Sequence, residues 1–271
     1  MTGLSYPPGN GGPKAARSKA KRGARMRRRI AWSTVAALLL AGVVSLVGVP
    51  SAEAILVEVS QETSAGAGDF NSNVLGYIAP YSTTLTTAAF YQYDSPIGSS
   101  YNGENNGGPV PVSELSQVFL VNASDGLSLV IVHDNPDDGS GGRTQTRWDL
   151  VGDTAAQRVA DDPAEPLTVG GGGTQFDSTT NWLACCTDGY AIGSLDGPWT
   201  LFGQFLAFDD GIDAWQASDK DGHHIVLALI LLHRIRLRQV PEPATSALLV
   251  AGLVGLAGAA WRARAAASPR D

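Results

Sequence analysis

The chain of 271 residues has only two cysteines, Cys185 and Cys186, and they are adjacent. This excludes the multiple cross-links of small secreted domains, and without a Cys-x-x-Cys spacing it removes the usual thiolate metal and dithiol redox motifs. Lysine is nearly missing from the centre, where Lys220 stands alone between residues 55 and 240. There is no H-E-x-x-H, no G-x-S-x-G and no phosphate-binding glycine loop, so zinc-peptidase, nucleophile-elbow and P-loop chemistry have no local signature. Gly170 to Gly173 lack the lysine and the strand-to-helix setting of a phosphate site, and they read as a linker. No repeat of fixed period occurs, which sets aside propellers and solenoids. Between residues 55 and 240 no amphipathic helical pattern stands out.

The charge present is unevenly placed. Residues 1–54 hold nine basic residues and one acid, Glu53, whereas residues 55–240 hold seven basic and 23 acidic residues, a net charge of −16. So acidic a region repels nucleic acid and anionic lipid, and it attracts divalent cations or basic partners. Its length suffices to bury one core.

Both ends carry membrane-active patterns. Met26-Arg27-Arg28-Arg29, an apolar stretch over 30–49 and Ser51-Ala52-Glu53-Ala54 form the three parts of a secretory signal peptide, with cleavage expected after Ala54. The residues before Met26 are a basic extension, and Met26 is itself a candidate start. The arginine run lacks the rest of a twin-arginine pattern, which favours the general export route; an uncleaved anchor is the alternative. At the other end stand Val240, Pro241, Glu242 and Pro243, then an uncharged segment over 244–261, then Arg262 and Arg264. Eighteen residues of helix at about 1.5 Å each span roughly 27 Å, close to the apolar thickness of a bilayer, and the two arginines would lie on its cytoplasmic side.

Pro-Glu-Pro, one apolar helix and a short arginine cluster, in that order, resemble the PEP-CTERM sorting signal of Gram-negative bacteria. The resemblance implies export through the inner membrane, transient anchoring by the C-terminal helix, recognition by an exosortase with processing near Pro-Glu-Pro, and delivery to the cell surface or extracellular matrix. The tag speaks for location, not for activity. The domains expected are thus 1–54, extension and signal peptide; 55–238, an acidic ectodomain; and 239–271, the sorting signal with its transmembrane helix and basic tail.

Within the ectodomain, residues 55–60, 74–78, 83–93, 116–121, 127–133, 143–151 and 199–208 are rich in β-branched and aromatic residues or alternate apolar with polar, which predicts strands. Asn122 to Gly126 predicts a hairpin turn. Residues 159–173, with two prolines and the glycine run, read as irregular, and Trp182, Tyr190, Ile192 and Leu195 as surrounding a turn cluster. Residues 225–237 read as one long final strand at the sheet boundary nearest the membrane. Eight or so short strands predict an all-β fold, a β-sandwich, with the jelly roll as one form of it.

Candidate sites are few. Six Asp-Gly pairs are explained first by turn geometry. The second reading is calcium, which takes hard oxygen ligands, with Asp134, Asp137, Asp138, Asp209 and Asp210 as first candidates; Pro136 and Gln145 rule out an EF-hand. No other cofactor is implied. Cys185 and Cys186 could form a vicinal disulfide, bridge to other molecules or remain free, the first being favoured as a structural feature. His133, His223, His224 and His233 read as structural or exposed, and Trp148, Trp182, Trp199 and Trp215 as core residues before sugar-stacking platforms. The expectation is a non-enzymatic surface or matrix protein associated with exopolysaccharide or biofilm. A carbohydrate-binding module, calcium-assisted or not, is the alternative, and a secreted hydrolase comes third. N-terminal peptide mapping of the exported protein is expected to find Ile55 first; a peptide spanning Ala54-Ile55 in that material would refute cleavage there.

Overall fold

The computed structural model describes residues 55–93, 100–136, 139–162, 164–165, 167–209, 211–240 and 252. The expected signal peptide, the apolar segment 244–261 and the arginines after it lie outside these residues, apart from Gly252. No helix among the described residues is long and apolar enough to cross a membrane.

The described chain is nearly all β. In order its strands are β1 (Leu56–Gln61), β2 (Val74–Ile78), β3 (Tyr81–Ser82), β4 (Leu115–Ala123), β5 (Gly126–His133), β6 (Gly142–Val151), β7 (Ala156–Ala160), β8 (Thr168–Gly170), β9 (Gln175–Trp182), β10 (Asp188–Gly193), β11 (Thr200–Phe208), β12 (Ala214–Ser218), β13 (His224–Leu227) and β14 (Ile235–Val240). One sheet runs β2-β1-β14-β11-β6-β9-β8 and the other β13-β12-β4-β5-β10-β7, with β3 beside β4. Val57, Trp148, Leu201 and Leu237 from the first sheet share one buried cluster with Val118, Leu129, Ile192 and Trp215 from the second, so the sheets face each other as a sandwich. All residues of this core, and of a second cluster behind β4 and β5, fall between Val57 and Leu237.

The two-residue side-chain period of a strand accounts for this packing. Along β6, Thr144, Thr146, Trp148 and Leu150 point inward and are buried, while Gln145, Arg147 and Asp149 face outward and are less covered. Opposite Trp148, position 203 must be glycine: a Cβ there would lie 2.3 Å from the indole ring.

Several local expectations are corrected. Residues 83–93 do not form a strand; after β3 the chain makes the short helix α1 (Thr87–Tyr91), where the Thr86 side chain accepts from Ala89 N as N-cap. Helix α1 is held because Phe90 and Tyr91 bury against Phe119, Val130 and Val132 on the outer face of the second sheet. The glycine run is a reversal and not a linker: Gly171, Gly172 and Gly173 all have positive φ and turn β8 back into β9. Trp182, Tyr190 and Ile192 do flank a turn, residues 183–187, and they are strand residues, Trp182 closing β9 and Tyr190 and Ile192 lying within β10. Residues 225–237 split into β13 and β14, which belong to different sheets, and β14 lies between β1 and β11, away from any sheet edge.

The first and last strands are neighbours. β1 and β14 pair antiparallel from Leu56 opposite Val240 to Gln61 opposite Ile235. Glu58, Ser60, Arg236 and Arg238 share the outer face of this pair. Arg236 donates from Nη2 to Glu58 Oε1 at 2.7 Å, from Nε to Ser60 Oγ at 3.1 Å and from Nη1 to Asn71 Oδ1 at 2.8 Å; Arg238 donates to Glu58 Oε2 at 2.7 Å. The Phe70 ring covers the Arg236 guanidinium at 5.3 Å, and both Glu58 and Arg236 are buried. Removing one partner of a buried pair leaves the other charge uncompensated, so Glu58→Ala is expected to cost about 3–5 kcal/mol in urea denaturation. Asp177→Asn, which breaks the more exposed Arg147 pair, is expected to cost about 1 kcal/mol or less. Equal losses for the two variants would refute this account.

Candidate functional site

The best-defined functional element is the C-terminal tail together with its mounting on the sandwich. Val240 is the last residue of β14, hydrogen-bonded in register beside Leu56, and Pro241, Glu242 and Pro243 follow outside the described residues. Gln239 N is further tied to Trp199 O at 3.2 Å. Proline cannot continue the ladder because it lacks an N–H, so sequence alone stops the strand at this position. The chain thus enters the sandwich at Leu56 and leaves it at Val240, at one end of one sheet.

The other candidates gather at the opposite end. Asp134 follows β5 and is fully buried, with both carboxylate oxygens engaged. Oδ1 accepts from Glu114 N at 2.8 Å and Asn135 N at 2.9 Å; Oδ2 accepts from Trp182 Nε1 at 2.7 Å and Ser140 Oγ at 3.2 Å. The structure spends this carboxylate on closing a loop. Asp209 is exposed and accepts from Arg143 N at 2.6 Å; Asp137, Asp138 and Asp210 lie outside the described residues. Cys185 and Cys186 are joined to each other by a disulfide in the loop between β9 and β10.

His133 is enclosed between the sheets, with Nδ1 3.0 Å from Ser116 Oγ and its ring stacked on Trp182 at 5.5 Å. Burial pushes its pKa down to about 3, so it remains neutral at physiological pH. Trp148, Trp182, Trp199 and Trp215 are all buried.

Three features escaped sequence reasoning. Asp161, at the end of β7, and Asp188, at the start of β10, are both buried, and each keeps one carboxylate oxygen without a hydrogen-bond partner. Asp161 Oδ2 accepts from Tyr91 OH at 2.7 Å, and Asp188 Oδ1 from Gly189 N at 2.6 Å. Burial in the first place pushes these carboxyls up to about 8 and about 9, the Asp161 charge adding to the rise at Asp188. Their Asp-Asp and Asp-Gly contexts look like exposed turns, so only the fold reveals the burial.

The second feature is the turn between β12 and β13, where ligand atoms of Asp219, Asp221 and His223 lie within 4.8 Å of one another. Turn bonding accounts for it: Asp219 Oδ1 accepts from Asp221 N at 2.8 Å and His223 N at 2.9 Å, and Asp221 takes Lys220 Nζ at 2.8 Å. Partial burial works to raise the Asp219 pKa, and the hydrogen bonds from His223 and Asp221 outweigh it, holding the carboxyl below its ordinary value. Third, an open cleft of about 300 Å³ is lined by Glu165, Thr168, Asp177 and Thr179. Its acids are engaged, Asp177 by Arg147 Nε at 2.6 Å and Glu165 by Asn181 Nδ2 at 2.5 Å.

A β-sandwich that hands its last strand directly to a C-terminal tail describes the class of molecule. Comparison with known families then identifies that tail: the PEP-CTERM protein-sorting motif matches residues 239–265. The chain carries this motif, which implies export and exosortase-mediated sorting at the membrane. No curated protein and no solved structure matches the chain.

The raised pKa values of Asp161 and Asp188 give a signed prediction. Below the unfolded carboxyl value both states are protonated and the favourable difference is fully present; it is lost as pH rises through the folded values near 8 and 9. Asp188→Asn is therefore expected to flatten the fall in melting temperature between pH 5 and pH 9. An unchanged slope would contradict the burial of this carboxyl as an acid.

Proposed function

We propose that this protein is an exported, non-catalytic component of the cell surface or extracellular matrix, held briefly at the inner membrane and released through exosortase processing of its tail. Residues 1–54 serve as the signal segment and 244–261 as the transient membrane helix. The observation that carries the reading is the mounting of the tail. Pro241 to Pro243 are all that separates β14 from the apolar segment, a reach of at most about 11 Å at about 3.6 Å per residue. The motif is thus presented at the membrane surface by a strand fixed in mid-sheet, and the N-terminal segment joins the domain at the same place.

A surface role also fits the composition. The strongly acidic sandwich resists non-specific adhesion to anionic lipid, and its acids among the described residues are largely committed to turns and ion pairs. Matrix association with exopolysaccharide remains part of this proposal, without tryptophan stacking, because no described tryptophan is available at the surface to meet a sugar ring.

Replacing Pro241, Glu242 and Pro243 by alanine is expected to leave the protein in the membrane fraction, with its Trp261-containing peptide intact. The parent protein recovered from the cell surface is expected to lack that peptide. Its presence in the released parent protein would overturn the processing step.

A further inference from the structure

Asp161 follows β7 and Asp188 opens β10, its antiparallel neighbour. Their backbones meet around Gly189: Asp161 N donates to Gly189 O at 3.1 Å, and Gly189 N donates to Asp188 Oδ1 at 2.6 Å. The Tyr91 hydroxyl covers the same spot. It donates to Asp161 Oδ2 at 2.7 Å, and a Cβ at position 189 would stand 2.8 Å from it. Asp161 is 1% and Asp188 3% exposed, and on each side chain one oxygen, Asp161 Oδ1 and Asp188 Oδ2, is buried with no hydrogen-bond partner.

No positive charge offsets these acids. Among the described residues neither of them has an ion pair with a basic side chain. Arg158, the base on β7, donates instead to Asp125 O and Ser194 Oγ. His133, opposite Asp188 in the β5–β10 register, is neutral and bonded to Ser116. The charges acting on Asp188 are those of Asp161, Glu165 and Asp162, all negative. A buried carboxylate without a compensating partner is costly, and here two lie side by side with an open oxygen each.

We propose that Asp161 and Asp188 form a calcium site, with the two open oxygens as its anionic ligands and Tyr91 as the group that orients Asp161. Charge sets the valence, since one divalent ion cancels both carboxylates while a monovalent ion leaves the pair negative. The donor set selects the element. Oxygen without imidazole or thiolate suits a hard cation and not zinc, and a site this buried must strip water from its ion, which calcium allows far more readily than magnesium. Backbone carbonyls and water fill the rest of the shell. Asp162 and Glu165, half-buried on the loop after β7, add a negative field along the approach. The site therefore differs from the aspartates that the sequence favoured, and its ion would fasten β7 to β10 beside the Cys185–Cys186 loop.

The full chain in detergent, stripped with EDTA and titrated calorimetrically with calcium chloride, is expected to show one class of site. Calcium is expected to raise the melting temperature of the stripped protein, because binding to the folded state alone stabilises it. Asp161→Asn and Asp188→Asn keep the side-chain shape and each remove one anionic ligand; both are expected to weaken calcium binding about tenfold or more. Circular dichroism in EDTA checks that they fold. Asp221→Asn, in the turn where Asp219, Asp221 and His223 come together, is expected to leave the affinity unchanged. Absence of calcium binding, binding indifferent to both buried aspartates, or binding lost in Asp221→Asn instead would overturn the proposal. Equal melting temperatures of the unmodified protein in calcium and in EDTA would also overturn it, and that comparison needs no variant. None of these readouts involves the tail, so the sorting reading and the calcium site fail separately.

Discussion

Glu58 sits between two arginines of the last strand, and the architecture of the first sheet depends on that contact. One carboxylate receives Arg236 on one oxygen and Arg238 on the other, fastening the strand that opens the domain to the strand that closes it. Six residues of ladder run alongside. Ladder bonds alone would hold any two strands; the buried charge selects these two, because a slip of one residue would move Glu58 to the other face and leave Arg236 unpaired. Once β1 and β14 are joined, β2 follows on one side and β11 on the other, and the core closes over Val57, Val59, Ile235 and Leu237.

The position of the tail follows from this clasp. A C-terminal sorting signal on a flexible tether would sample a wide volume, whereas one leaving a central strand starts from a fixed point. Because the chain also enters the sandwich there, one end of the domain carries both chain ends and the opposite end carries neither. The opposite end carries the Cys185–Cys186 loop and the buried Asp134 that bonds Trp182. The carboxylates that looked most like cation ligands in sequence turn out, where they are described, to fasten loops.

Legibility in the sequence followed locality. The strands β6 and β11 were readable because apolar residues alternate along them, and β4 and β5 because they are runs rich in β-branched and apolar residues whose reversal supplies its own Asp-Gly. The tail was readable because its three parts are contiguous. Residues 83–93 misled, since threonine, tyrosine and phenylalanine favour strands in isolation, and only the apolar surface behind β4 and β5 makes a helical turn there worthwhile. The run 225–237 misled for the opposite reason: the connection between β13 and β14, residues 228–234, is itself mostly apolar, and nothing local marks the loop that carries the chain to the other sheet. The pairing of β1 with β14 spans nearly the whole ectodomain, and its one local trace is arginine at alternate positions 234, 236 and 238. The burial of Asp161 and Asp188 had no trace at all, because Asp-Asp and Asp-Gly are ordinary turn sequences.

Hydrogen exchange across residues 235–240, measured in the full chain and again after removal of everything beyond Pro243, tests the clasp most directly. The account predicts that Arg236 and Arg238, whose backbone amides face β1, exchange as slowly as the paired amides of β1, in both forms, since the strand is held by Glu58 and not by the tail. Fast exchange at these positions in either form would contradict it, showing that the sorting motif hangs from a flexible linker and that the two ends of the domain are not fixed together.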